Sequence, residues 1–205
     1  MRYIDLTHTF VADMPVYPGD PIPELVQVAR LDKDGYTDYQ VKTGLHVGTH
    51  LDAPLHMLAG GKKISDFPTD KFFGRGCLID AREMAQIGAG LLAKSAAKKD
   101  NILLILTGCA QKYGQPEYYE RYPEIDEDFA RRAMALGIKM IGLDSPSPDR
   151  PPFPIHKLLL GQEILILENL TNLESLLGVS DFEILALPIK LQADAAPARV
   201  VAKIV

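Results

Sequence analysis

The stretch Gly44–Met57, GLHVGTHLDAPLHM, holds three of the five histidines in the 205-residue chain, where composition alone would place about 0.3 between His46 and His56. Imidazole and carboxylate are the usual ligands of zinc and similar divalent ions, which makes His46, His50 and Asp52 candidate metal ligands. The donors His46, His50, Asp52 and His56 occupy even positions, and Leu45, Val47, Leu51, Leu55 and Met57 occupy odd ones. In extended chain this parity puts the donors on one face and the apolar residues on the other. A helix would turn Asp52 ~200° away from His50, and Gly48 and Pro54 both oppose one. A straight strand would space the Cα atoms of His50 and Asp52 by ~7 Å, suitable for one shared ion, but would stretch His46–His56 over ~33 Å. The chain must therefore bend, and Gly48 and Pro54 stand where a bend would fold the outer histidines back. Structural metal sites close with four protein ligands, often including cysteine; a cluster without cysteine points to an open site that keeps a water.

The elements that must position this cluster read as an α/β fold, a compact single domain over residues 1–205 built on a mixed sheet. Strands are expected at Tyr3–Leu6, Glu24–Leu31, Tyr39–Leu45, Leu78–Asp80, Ile102–Leu106, Ile138–Leu143, Ile164–Leu167, Phe182–Leu187 and Arg199–Val205. Helices are expected at Gly88–Lys99, Asp126–Leu136 and Ile155–Leu160, with a helical turn at Pro116–Tyr122. Asp126 opens the second of these and Gly137 ends it. Met14–Pro23 is a proline-rich loop turning at Pro18-Gly19-Asp20. Ser145 and Ser147 are read as solvated loop residues. On spacing alone His156, in an apolar run, is a core histidine or a ligand, and Glu168, closing ILILE, is a surface carboxylate or a ligand.

Apolar residues make up 47% and charged residues 24%, close to the globular average, and the net charge of −5 is spread along the chain. No concentrated basic face is available for phosphate, so no nucleic-acid partner is expected. No apolar run reaches the ~20 residues that span a bilayer, and the N-terminal MRYIDLTHTF lacks the apolar stretch of a signal peptide. No membrane role is expected, and the chain is placed in the cytoplasm. Cys77 and Cys109 form no CxxC and read as reduced, buried thiols. Neither a P-loop nor G-x-G-x-x-G occurs, which leaves nucleotide cofactors without support.

The string His46-x-Gly48-Thr49-His50-x-Asp52-x-Pro54-x-His56 resembles the signature of the putative cyclase family, which includes bacterial kynurenine formamidases and isatin hydrolases, and it fixes seven positions in eleven residues. Asp5-Leu6-Thr7-His8, Pro15–Asp20, Thr107-Gly108, Gly142–Ser147 and Pro188–Arg199 extend the similarity. The resemblance implies a swivelling β/β/α fold and a binuclear site. His46, His50, Asp52 and Glu168 would hold one divalent ion, and Asp52, His156 and Glu168 the other. Zinc is the first expectation for both, manganese the second. His56 matches the family's catalytic acid/base. Tyr17 stands where the kynurenine formamidases place a substrate-contacting tryptophan, and this chain has no tryptophan. Near the C-terminus, Asp194-Ala195-Ala196-Pro197 carries alanine where the family often has glycine, which is read as a change in a turn.

The implied activity is hydrolysis of a C–N bond in a small amide, of the arylformamidase type acting on N-formylkynurenine in tryptophan catabolism. Activated water would attack the carbonyl carbon, and His56 would pass a proton to the leaving nitrogen. A strained cyclic amide such as isatin, or an ester, is the alternative substrate. A catalytically inactive metal-binding relative is the alternative of another class, and its sign would be a closed set of ligands with no open pocket. The family further implies a homodimer or homotetramer.

Overall fold

Ile102–Leu106 is a strand buried on both faces, with Ile102, Leu104 and Leu106 in one apolar cluster and Leu103 and Ile105 in the other. This two-sided burial is what a continuous apolar run of that length calls for. The computed structural model describes residues 1–205. In chain order the elements are β1 (Arg2–Asp5), β2 (Glu24–Ala29), α1 (Leu31–Asp34), β3 (Asp38–Lys42), β4 (His50–Asp52), β5 (Phe73–Asp80), β6 (Gln86–Ile87), α2 (Ala89–Lys94), β7 (Ile102–Leu106), α3 (Glu117–Glu120), β8 (Glu124–Ile125), α4 (Glu127–Leu136), β9 (Met140–Leu143), α5 (Pro154–Gly161), β10 (Leu165–Glu168), β11 (Phe182–Pro188) and β12 (Ala195–Ile204).

The main sheet closes on itself. Its order is β12–β11–β5–β7–β9–β10–β4, and β4 returns to pair with β12; β1 lies along the far half of β12. Strands β5, β7, β9 and β10 run parallel, and the remaining pairs of the ring are antiparallel. The result is the expected mixed α/β fold, with a closed, barrel-like sheet. Alternate residues of the parallel strands fill the two cores. One includes Leu51, Leu104, Leu167, Ile184 and Val200. The other packs Leu103, Ile141 and Ile166 against Phe129 and Ala133 of α4 and Leu159 and Leu160 of α5.

Most expected elements occur with shifted ends. Asp126 caps α4 by accepting the Phe129 N–H at 2.7 Å, and Gly137 ends it at φ 74°. The helix expected over Gly88–Lys99 stops at Lys94, because the Ser95 hydroxyl donates to the Leu92 carbonyl and accepts from the Ala97 N–H, replacing the next helical bonds. The strand expected from Glu24 to Leu31 ends at Ala29 after an irregularity between Gln27 and Ala29. β12 starts four residues before the expected Arg199. Ala195 and Ala196 are fully buried strand residues paired with β4, and do not form a turn. The two-residue strands β6 and β8, which pair in parallel, had no signal in the sequence pattern. Cys77 and Cys109 are free and buried. No helix is long and apolar enough to cross a membrane.

Candidate metal centre

Strand β4 is three residues long, and it closes the barrel between β10 and β12. Its pairing with β10 sets His50 opposite Glu168. Directly opposed residues stand ~4.5–5.5 Å apart at Cβ, so register alone brings a ligand from over a hundred residues away onto the histidine. Both expected bends are present. Gly48 takes φ 64°, a conformation that favours glycine, and a Cβ there would fall 2.6 Å from the methyl at the end of the flexible Met14 side chain, which would have to move aside. Pro54 opens a 3-10 turn over Pro54–His56. Gly61 packs on that turn so closely that a Cβ would sit 2.5 Å from the Pro54 carbonyl carbon.

His156 comes from the first turn of α5. Asp149 fixes it twice: Oδ2 accepts the Ile155 N–H at 2.6 Å and the His156 N–H at 3.3 Å, and Oδ1 accepts the ring Nδ1–H at 2.5 Å. His50 Nδ1 donates to the Gly48 carbonyl at 2.8 Å, and His46 Nε2 donates to Asp194 Oδ2 at 3.0 Å. With one nitrogen of each ring committed to an acceptor, the other carries a lone pair whenever the ring is neutral. Those lone pairs converge on two carboxylates. His46 Nδ1 is 2.9 Å from Asp52 Oδ1, and His50 Nε2 is 3.4 Å from the same oxygen and 3.3 Å from Glu168 Oε2. His156 Nε2 is 3.2 Å from Glu168 Oε1 and 3.7 Å from Asp52 Oδ2. Each carboxylate thus turns one oxygen to His50 and the other to His156, the arrangement of a bridging ligand.

Acceptors facing acceptors repel unless positive charge lies between them. His50 Nε2, both Asp52 oxygens and Glu168 Oε1 are buried without a hydrogen-bond partner, a condition that costs ~1–3 kcal/mol per group. The protonation equilibria show the same demand. Burial pulls the His50 pKa down, but Asp52 and Glu168 lift it to about 10. His156 is likewise raised against its burial, by hydrogen bonds to Asp149, Asp52 and Glu168. Burial works to raise Asp52, yet His46 and His50 hold it well below the usual carboxylate range. In Glu168, burial and Asp52 raise the pKa, and His156 and His50 outweigh them. The donor set fits divalent cations: His50, Asp52 and Glu168 place ligand atoms within 4.8 Å of one another, and so do His46, Asp52 and His56.

His56 stands beside this set. Its ring centroid is 4.1 Å from that of His46 and 5.8 Å from that of His156. Burial lowers its pKa, with His46 and His156 lowering it further against the pull of Asp52 and Glu168, which favours the neutral ring. A cavity of about 200 Å³ opens here. His46, His56, His156 and Glu168 form one wall, and Pro15, Tyr17, Tyr119 and Phe153 line it with apolar surface. Tyr17, expected at the substrate, does reach this cavity and meets Tyr119 edge-on at 5.9 Å.

All seven residues singled out in the sequence therefore gather at one site: Tyr17, His46, His56, His156 and Glu168 line the cavity, and His50 and Asp52 lie buried against His46, His156 and Glu168. Sequence reasoning missed the residues that orient them. Asp194 carries no local signal, since it acts on His46 from 148 residues away, and Asp149 acts on His156 from seven residues earlier, through a turn the sequence pattern did not mark. Asn169 follows Glu168 and ties three segments together: Nδ2 donates to the Gly48 carbonyl, Oδ1 accepts from the Tyr118 hydroxyl at 2.7 Å, and its carbonyl accepts from the Thr49 hydroxyl at 2.6 Å. Ser145 and Ser147 correct an expectation. Both are buried, not solvated; Ser145 donates to the Ser147 carbonyl and Ser147 to the Asp149 carbonyl, closing the turn that delivers Asp149. Their hydroxyls can be buried because the turn's own carbonyls satisfy them.

The family model described as "Putative cyclase" matches residues 4–150. A kynurenine formamidase of Bacillus thuringiensis subsp. konkukian is 31% identical over 98% of this chain and 97% of its own. A solved structure described as a potential metal-dependent hydrolase with cyclase activity is 26% identical, with a TM-score of 0.82, over 98% of this chain and 96% of that one. Isatin hydrolase A from Labrenzia aggregata shares the fold at a TM-score of 0.87 and 24% identity, over 98% and 93% of the two chains.

Proposed function

The chain belongs to the putative cyclase family of metal-dependent hydrolases, and from that premise we propose that it cleaves the C–N bond of a small amide, first of all an aryl formamide of the N-formylkynurenine type. The observation that carries this reading is the convergence of three oriented imidazoles on two buried, unpartnered carboxylates beside an open cavity. In the proposal His46, His50, Asp52 and Glu168 hold one divalent ion, and Asp52, His156 and Glu168 hold a second, with zinc or manganese as the ions. Ions bound there would supply Lewis acidity toward a carbonyl oxygen and lower the pKa of a water.

The chain's own residues supply the rest. Asp20 and Glu168 are the charged residues lining the cavity, and no lysine or arginine does. Asp20 offers its carboxylate to a substrate ammonium, and since the chain places no cation in the cavity, the carboxylate of an amino-acid substrate would have to face solvent. Tyr17, Tyr119 and Phe153 offer aromatic surface to an aryl ring. His56, whose neutral form burial favours, is placed to take a proton and return it to the departing nitrogen. The open cavity runs against a closed, purely structural metal site. Self-association as a homodimer or homotetramer is part of the proposal; the β2–β3 hairpin supports it, since Val26, Val28, Tyr39 and Val41 are all more than half exposed. The chain is proposed to act in the cytoplasm.

The test loads the protein with zinc or manganese and offers N-formylkynurenine, formanilide, isatin and a simple lactam. Formate release from the first two is expected, abolished by chelation and restored by added metal. His56→Ala should keep its metal and lose ~10²–10⁴ in rate. Hydrolysis that survives thorough chelation, or a metal-loaded protein that opens none of these bonds, would end the proposal.

A further inference from the structure

We propose that Asp194 is a positioning residue that sets the tautomers of His46 and His56 together, through one carboxylate oxygen. The inference rests on the hydrolase reading above. Asp194 immediately precedes β12, and its carbonyl accepts the Ala53 N–H at 2.8 Å, which fixes it beside the end of β4. Its Oδ2 is 3.0 Å from His46 Nε2 and 3.4 Å from His56 Nδ1, and the two rings lie 4.1 Å apart at their centroids. Asp194 is the only carboxylate paired with His56.

A carboxylate oxygen only accepts, so a nitrogen that faces it is favoured to carry the hydrogen. The two rings present different nitrogens, and the consequences differ. His46 is hydrogen-bonded as the Nε2–H form, which leaves the Nδ1 lone pair directed at Asp52. At His56 the same oxygen stands 3.4 Å from Nδ1, a facing charge and not a formed hydrogen bond, and it favours the Nδ1–H form, the one a free neutral imidazole disfavours, which leaves Nε2 to accept a proton. A single oxygen thus prepares one ring as a ligand and the other as a base. Outer carboxylates commonly fix ligand histidines in this way; here the same group also reaches the proton carrier.

The experiment reads ring tautomers by long-range 1H–15N correlation in zinc-loaded protein at pH 7.5, for wild type, Asp194→Ala and Asp194→Asn. Wild-type His56 is expected as Nδ1–H, Asp194→Ala mainly as Nε2–H, and Asp194→Asn, which keeps one acceptor oxygen, in between. On formanilide, kcat should fall about 10–100-fold in Asp194→Ala with KM nearly unchanged. In a His56→Ala background the same substitution should cost clearly less than in wild type, because only its action through His46 is left. His56 found as Nε2–H in wild type, an unchanged tautomer in Asp194→Ala, or additive rate losses would each overturn the proposal. A wild type inactive on every amide would sink the hydrolase reading, while the tautomer spectra would still decide the role of Asp194.

Discussion

The candidate metal centre and the β2–β3 hairpin invert the usual distribution of side chains in opposite directions. The centre buries ionisable groups: Asp52, His50, His156 and Glu168 are all at most 6% exposed. The hairpin exposes apolar ones, with Val26, Val28, Tyr39 and Val41 each above half exposed. In the centre, each candidate ligand imidazole is gripped from behind by an acceptor, the Gly48 carbonyl, Asp149 or Asp194, and β4 is paired on both edges. The hairpin has its own ladder and the Lys42–Glu24 ion pair, but all of β3 is exposed and α1 buries nothing. Two-stranded hairpins are marginal alone in water. Buried polarity is tolerated where many elements agree on its geometry, and exposed apolar surface marks where agreement within one chain stops.

The sharpest way to break this contrast is Asp52→Asn. The change keeps the shape and removes a charge that faces all three ligand histidines, so bound metal should vanish and turnover fall on the order of 10³-fold or more. Metal per chain by mass spectrometry, with activity alongside, checks it; full occupancy at near wild-type rate would refute the assignment of Asp52. Gly48→Ala comes next. The left-handed conformation costs about 1–2 kcal/mol for a residue with a Cβ, and the Met14 contact adds to it. A thermal midpoint lowered by several degrees, together with weaker metal retention, is expected; an unchanged midpoint would mean that the bend is not under the stated constraint.

A smaller effect tests the rim of the centre. His8 stacks on Tyr113 at 3.8 Å between centroids, and burial lowers its pKa to about 4. The folded state therefore disfavours the protonated ring that the unfolded chain accepts near 6.5. The resulting loss of stability begins as pH falls through 6.5 and levels off below about 4. Replacing His8 with Phe should flatten the stability curve across that window in urea titrations; an unaltered slope would exclude His8 as its source. The smallest effect on the chain itself is expected in the hairpin. The double substitution Val28→Asp, Val41→Asp should leave the fold and kcat within about 0.5 kcal/mol of wild type while reducing the oligomer mass in light scattering. A mass that does not change would remove the hairpin from any contact between copies.

The residues legible in advance were those whose chemistry is local. The bends at Gly48 and Pro54 are where the sequence asked for them, and the strand alternation holds for His50 and Asp52, while His46 reaches the site from a turn and His56 from a 3-10 turn. The strand at Ile102–Leu106 was equally plain, because a short apolar run has few other ways to be buried. His156 and Glu168 were ambiguous on their own spacing, and the resemblance to a family is what drew them to the site.

What the sequence by itself determined is the ligand chemistry and the shape of one eleven-residue segment, since backbone geometry sets distances within a strand. Only the tertiary structure decided that Glu168 lies opposite His50, that Asp149 and Asp194 stand behind His156 and His46, and that Ser145 and Ser147 are buried. Those contacts join segments up to about 150 residues apart, and they exist because β4 closes the sheet in one register. That register is chosen by many weak pairings and by two cores acting together, and no single stretch of chain encodes it.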